Sequence, residues 1–270
     1  MSVIRTPEIN IHLQRLHPVP PPTDGKPPIV VFLHGLLYDS LASYYFTLGP
    51  AFANAGMDVV MYDLRGHGRS TKFETGYRLE HFLGDLDALL DALEITEPVH
   101  LVGNSFGGTM AYGYAATRPE RVASITAIES SPPTPTWMKH LGSGLAEAKD
   151  KLARDESIDW ISQQHGAHTA RLTKGAGKLL HSTTMAEDLP LSLTIAEDLS
   201  EVRCPVFALF GDESGLDIQV DSLRDGLVDC HVVVLPQQGH SVLVERTGET
   251  SGLILDWIGR HSRAALVEVD

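Results

Sequence analysis

Ser105 stands in the sequence Gly103-Asn104-Ser105-Phe106-Gly107, between the apolar run Val99 to Val102 and a helical pattern carrying Met110, Ala111, Tyr114 and Ala115. A strand, a sharp turn and a helix in that order is the setting in which Gly-x-Ser-x-Gly presents a nucleophile. Gly103 and Gly107 let the backbone pass close to neighbouring elements, so the serine can take a strained conformation that projects its hydroxyl outward. The following helix aims its N-terminal amides at the place where negative charge develops during attack on a carbonyl. Ser105 is therefore the predicted attacking group.

The other parts of such chemistry have candidates at suitable places. The strand ending in Leu33-His34-Gly35-Leu36-Leu37 can direct the backbone N–H of Leu36 at the same point as that of Phe106, and the two together would hold a tetrahedral oxyanion. The general base must lie late in the chain, and His240 in Gly239-His240-Ser241 fits, since a neutral imidazole can take the Ser105 proton and return it to the leaving group. His34 is expected to bond nearby backbone. His67, within the turn Asp63 to Ser70, is expected to belong to a hydrogen-bonded turn, because no acidic or cysteine partner has ligand spacing around it. His165 and His168 are three apart but lack a third ligand, so no metal is expected; no nucleotide or flavin motif occurs, so no cofactor is expected either.

These residues need a scaffold that brings distant segments to one edge. Short apolar runs at Ile9 to Leu16, Ile29 to Leu33, Asp58 to Tyr62, Val99 to Val102, Val122 to Ile128, Val206 to Phe210 and His231 to Leu235 read as strands. Stretches with helical spacing lie between most of them: Leu41 to Ala55, Leu79 to Leu93, Phe106 to Arg118 and Thr247 to Arg260. Runs apolar on both faces require a parallel sheet covered by helices on each side, so the expected class is α/β and doubly wound. Ile9, Ile11, Leu13 and Leu16 are interrupted by polar residues, as in an antiparallel edge strand. The Pro-rich segment from Pro18 to Pro28 reads as a loop. From Ser131 to Leu199 the alternation stops: Pro132, Pro133 and Pro135 precede helix-prone stretches at Leu141 to Ala153 and Ile158 to His165. The expected organisation is a core of residues 1–130 and 200–270 with a helical cap of residues 131–199 on top.

Bulk properties narrow the partners. The 270 residues are 43% hydrophobic and 21% charged, ordinary for a globular domain, and a formal net charge of -14 disfavours nucleic acid and anionic membrane surfaces. The first residues lack the basic flank and apolar run of a signal peptide, and no stretch approaches the roughly 18 apolar residues of a bilayer span, so a soluble cytoplasmic protein is expected. Cys204 and Cys230 exclude a disulfide framework and are expected to pack as two buried thiols.

Taken together, His34-Gly35, the Asp63 to Ser70 turn, Gly103 to Gly108 with Pro119-Glu120-Arg121-Val122 behind it, and Gly239-His240 resemble the α/β-hydrolase fold superfamily almost end to end. The resemblance implies a mostly parallel eight-stranded sheet with a helical lid after the sixth strand. Gly-Asn-Ser-Phe-Gly-Gly is similar to the elbow of hydrolases that cleave ring-fission products, and the Asp63 to Ser70 turn is shared with esterases and cofactor-free haloperoxidases. One feature departs from the family. Its triad acid usually follows the seventh strand, three residues past a Gly; after Gly211 that position holds Ser214, with Asp212, Glu213 and Asp217 nearby. A second location known in the superfamily is the end of the sixth strand, where Glu129 closes the apolar run Ser124 to Ile128. An unpaired buried carboxylate is costly, so Glu129 is favoured as the acid that orients His240, with Asp212 as the alternative.

A serine nucleophile, a histidine base and two amide donors suit an ester, thioester or lactone cleaved through an acyl-enzyme. Serine rather than aspartate at position 105 argues against dehalogenase and epoxide hydrolase chemistry. The cap supplies Trp137, Met138, Leu141, Trp160, Leu180 and Met185, which hint at a hydrophobic small-molecule acyl substrate; Trp137, Trp160 and Met185 are the candidate contacts. A carbon–carbon hydrolase, an acyl-transferring or cyclising enzyme of natural-product assembly, and a non-catalytic ligand receptor are the alternatives. A homodimer is compatible with the sequence.

Overall fold

The structure, a computed structural model, describes residues 2–23, 25–152 and 155–264, and the side chains of all of these except 155–168 and 263–264. Eight strands form one sheet: β1 (Ser2–Arg5), β2 (Asn10–Leu16), β3 (Ile29–Leu33), β4 (Asp58–Tyr62), β5 (Val99–Asn104), β6 (Val122–Ile128), β7 (Val206–Gly211) and β8 (Cys230–Leu235). Their order is β1-β2-β4-β3-β5-β6-β7-β8. β1 and β2 pair antiparallel with each other, β2 pairs antiparallel with β4, and every later pairing is parallel.

The parallel strands are apolar on both faces because each face meets a separate layer of helices. Val31 and Leu33 of β3 join one core cluster while Val30 and Phe32 join the other, and Val60 and Tyr62 of β4 likewise oppose Val59 and Met61. This is the two-residue period of a strand written into two cores. One cluster is completed by α3 (Leu79–Ala92) and α4 (Phe106–Thr117), through residues such as Phe82, Leu86, Met110 and Tyr114. The other is completed by α1 (Ala42–Tyr45), α2 (Gly49–Asn54) and α10 (Thr247–Ala264), through Tyr44, Phe52, Ile254 and Trp257.

Three expectations are corrected. Ile9 to Leu16 does hold an antiparallel strand, but it is not the edge: Ser2 pairs with Leu13 and Arg5 with Asn10, so β1 is outermost. The helical stretch Leu41 to Ala55 is two short helices, because Pro50 has no N–H to continue a ladder and is accommodated only in a first turn. Cys204 and Cys230 are free thiols but only partly buried.

Between β6 and β7 lie α5 (Pro135–Leu152), α6 (Asp155–Ser182) and α7 (Met185–Asp188). They enter the first core cluster through Leu145, Leu179, Leu180 and Met185, and Asp188 accepts the N–H groups of Gly76 and Tyr77 at 3.0 and 2.9 Å. Two further helices, α8 (Val220–Gly226) and α9 (Val242–Glu245), lie in the last third of the chain. Among the described residues no helix is long and apolar enough to cross a membrane.

Candidate active site

The sheet order reverses at β3, whose neighbours are β4 on one side and β5 on the other. Successive connections leave the carboxyl ends of β3 and β5 on opposite sides, and such a switch point opens the crevice in which open α/β sheets bind their ligands. The loop after Leu33 and the turn at Ser105 both start there.

Ser105 has φ 53° and ψ -122°, a conformation that side chains rarely adopt, and α4 begins at the next residue. Its own N–H is held by the Ile128 carbonyl on β6 at 2.8 Å, and its carbonyl accepts the N–H of Gly108 at 2.9 Å. The glycines allow this compression. A Cβ on Gly107 would lie 1.9 Å from the Leu33 carbonyl oxygen, and one on Gly103 would lie 2.3 Å from backbone atoms of Gly107 and Gly108.

The loop beside it is fixed by two histidines. The Nδ1 of His34 lies 2.7 Å from the Gly35 carbonyl, and its Nε2 accepts the Leu64 N–H at 3.0 Å. The Nδ1 of His67 lies 2.9 Å from the Arg65 carbonyl, and its Nε2 accepts the Leu37 N–H at 3.0 Å. Each ring is thus assigned as the neutral Nδ1–H tautomer, with one nitrogen donating and the other accepting. Burial pushes His34 down to about 4 and His67 to about 3. Both histidines hold backbone, as expected, and Asp39 adds a third restraint by accepting the Gly35 N–H at 3.1 Å.

Glu129 continues from β6 with φ 50°, its N–H bonded to the Leu209 carbonyl at 2.8 Å. Its side chain is fully buried. One carboxylate oxygen accepts the N–H of Gly211, and the other lies 3.1 Å from Nδ1 of His240, whose side chain is 52% exposed. Asp212 has a different partner, accepting the Gln238 N–H at 3.2 Å. Ser214 closes its own turn, donating to the Gly211 carbonyl at 2.9 Å and accepting the Leu216 N–H at 3.2 Å.

A cavity of about 690 Å³ connects these groups, lined by Ser105, His240, Glu129, Leu36 and Phe106 among others. Its size is that of a small-molecule site. Trp137, His140, Leu141, Gly144, Leu145 and Ala148 of α5 also line it, at the three- and four-residue spacing of one helix face. Trp137 is anchored by its Nε1–H, which donates to Thr109 Oγ1 at 3.0 Å, and it stacks on His140 with 5.4 Å between centroids. Met185 is not a contact: it is fully buried in the first core cluster and does not line the cavity. Leu180 is likewise buried in that cluster, and Met138 is buried outside it; neither lines the cavity. The side chains of Trp160, His165 and His168 lie outside the described residues. Sequence reasoning missed Asp39, Asn104, His140, Leu216 and Val244, all of which line the cavity. The spacing of His140 from Trp137 was the available signal for the first turn of α5; Asp39 and Val244 follow recognised motifs but belong to none.

Residues 28–209, more than half of the chain, match the family described as alpha/beta hydrolase fold. The chain belongs to that family. Epoxide hydrolase B of Mycobacterium tuberculosis is 36% identical to this α/β-hydrolase over 123 residues, 44% of this chain but only 34% of the relative's length. A 2-hydroxy-6-oxononadienedioate/2-hydroxy-6-oxononatrienedioate hydrolase of Paraburkholderia phymatum is 27% identical over 238 residues, 81% of this chain and 82% of its own. Among solved structures, the enol-lactonase of Burkholderia xenovorans superposes with a TM-score of 0.75 at 16% identity, covering 96% of this chain and all of the other; that likeness concerns the fold.

Proposed function

We propose that this α/β-hydrolase is a serine hydrolase that cleaves an ester, thioester or lactone of a hydrophobic small molecule through an acyl-enzyme at Ser105. The observation that carries the reading is the convergence, on one apolar-walled cavity, of a strained serine at a strand-to-helix turn and a histidine whose Nδ1 faces a buried carboxylate. His240, with its Nδ1–H directed at Glu129, presents Nε2 as the base that removes the Ser105 proton. The Ser105 oxygen adds to the carbonyl carbon, and the resulting oxyanion is held by the N–H groups of Leu36 and Phe106. The tetrahedral species collapses as His240 hands its proton to the leaving alcohol or thiol, and water then repeats the sequence to release the acid. Glu129 stabilises the imidazolium formed at each stage without itself taking the proton.

A carbon–carbon hydrolase is the second reading, supported by the 27% identity to the dioate hydrolase along most of both chains. One experiment separates active from inert sites: a fluorophosphonate probe should label the wild type and not Ser105→Ala. A panel of p-nitrophenyl esters, acyl thioesters and lactones then tests the bond class. Labelling with no turnover of any of the three overturns the ester-type reading and favours carbon–carbon cleavage, whereas no labelling overturns the serine mechanism itself.

A further inference from the structure

Asp39 lines the cavity of Ser105, four residues beyond the Gly35 that opens the oxyanion loop. Its Oδ2 accepts the Gly35 N–H at 3.1 Å and its Oδ1 accepts the Ser43 hydroxyl at 2.9 Å, so the carboxylate is fixed at the wall rather than swinging free. The other carboxylate there is Glu129. Among the described residues that line the cavity there is no Lys or Arg. Lys72 and Lys178 line an adjoining cavity of about 380 Å³ that shares Leu37 and Asp39 with this one. A fixed negative charge in a largely apolar cleft repels a second negative charge brought in with the substrate, because low-dielectric walls focus its field.

We propose that Asp39 makes the site select by charge, accepting substrates whose acyl part is neutral or carries an ammonium group and rejecting those that carry a second carboxylate. The inference rests on the serine-hydrolase reading and narrows its substrate class. It also separates this chain from its relative named for a dioate substrate.

Three p-nitrophenyl esters of matched length test it: the hexanoate, the ε-aminohexanoate and the adipate monoester. Wild-type kcat/KM should be at least about tenfold lower for the adipate than for the hexanoate, with the ε-aminohexanoate equal to or above the hexanoate, and added salt should narrow the gap. In Asp39→Asn the hexanoate-to-adipate ratio should fall at least about fivefold. Equal wild-type turnover of adipate and hexanoate overturns the proposal without any variant. So does an Asp39→Asn enzyme that loses the same factor on all three esters, for that is the behaviour of a residue that only positions the Gly35 loop. Hexanoate turnover in either case leaves the acyl-enzyme reading standing, whereas no turnover of these esters, nor of the acyl thioesters and lactones, removes both.

Discussion

Glu129 and His240 meet across 111 positions of sequence, with Oε2 of one 3.1 Å from Nδ1 of the other. The carboxylate is fully buried and its second oxygen is occupied by the N–H of Gly211, so it has no freedom to turn away. In the proposed mechanism a carboxylate held in this way fixes the imidazole tautomer, and its amide replacement would present the wrong group to Nδ1–H.

Glu129→Gln is therefore expected to lower kcat by about 10³-fold or more, in line with triad-acid losses, with little change in KM. Asp212→Asn should retain activity within about tenfold, since Asp212 serves the Gln238 N–H. Steady-state kinetics on one good ester decides between them, and the reverse ranking would move the acid to the loop after β7.

The elbow glycines offer a stability test. Gly107→Ala would place a Cβ 1.9 Å from the Leu33 carbonyl oxygen, a backbone atom that has nowhere to go. Overpacking of that kind should destabilise by about 3 kcal/mol or prevent folding. Gly84 in α3 is the control: a Cβ there meets nothing within 4 Å, and Ala should raise stability by roughly 0.5–1 kcal/mol through helix propensity. Urea unfolding of both variants checks the pair.

His34 and His67 predict a pH dependence of stability. Their values in the folded chain, about 4 and about 3, lie below the ordinary 6.5 of an unfolded histidine because burial disfavours the charged ring. Between those limits the unfolded chain binds more protons, so stability falls as pH drops below about 6.5, by up to about 1.4 kcal/mol per pH unit for each ring. Above pH 6.5 neither contributes a slope. His67→Asn should flatten the pH 4 to 6.5 limb relative to wild type in denaturant titrations, and an unchanged slope would show that His67 ionises alike in both states.

The α5 face predicts a size limit. Gly144 lines the cavity and a Cβ there meets nothing within 4 Å, so Gly144→Leu introduces volume without a clash in the helix. Hydrolysis of p-nitrophenyl acetate should persist while kcat/KM for a decanoate ester falls about tenfold. An unaltered chain-length profile would place the acyl group away from α5.

Most of the core strands were legible as apolar runs because both faces of the sheet are covered, and Val30 to Leu33 carry that pressure in every residue. β1 was not legible: Ser2, Val3 and Arg5 are exposed, so no burial pattern marks them, and only pairing with β2 makes them a strand. Ser105, Glu129 and His240 were readable as residue types at strand ends. Which carboxylate faces His240 depends on the side-chain geometry of Glu129 and Asp212, which spacing alone does not encode. Met185 was misjudged for a related reason: an apolar residue in the insertion satisfies equally a cavity wall or the core beneath it, and packing against α7's neighbours decided for the core. Asp39 went unnoticed because its position is set by the Gly35 turn and matches no motif.

The positive-φ turn at Glu129 sits on the core side of the boundary with α5, since Ser130 and Ser131 still intervene before the helical segment starts. That placement bears on any exchange of the insertion, which also carries Leu145, Leu179, Leu180 and Met185 of the first core cluster. A transplanted lid joined beyond Ser131 would leave the Glu129–His240 pair with the scaffold, while a junction drawn at the end of β6 would carry the carboxylate away with the donor sequence. Conversely, the loop from Glu213 to Leu216 lies on the scaffold side of that junction, and its Glu213 N–H, bonded to the Gln238 carbonyl at 2.9 Å, ties it to the segment that carries His240.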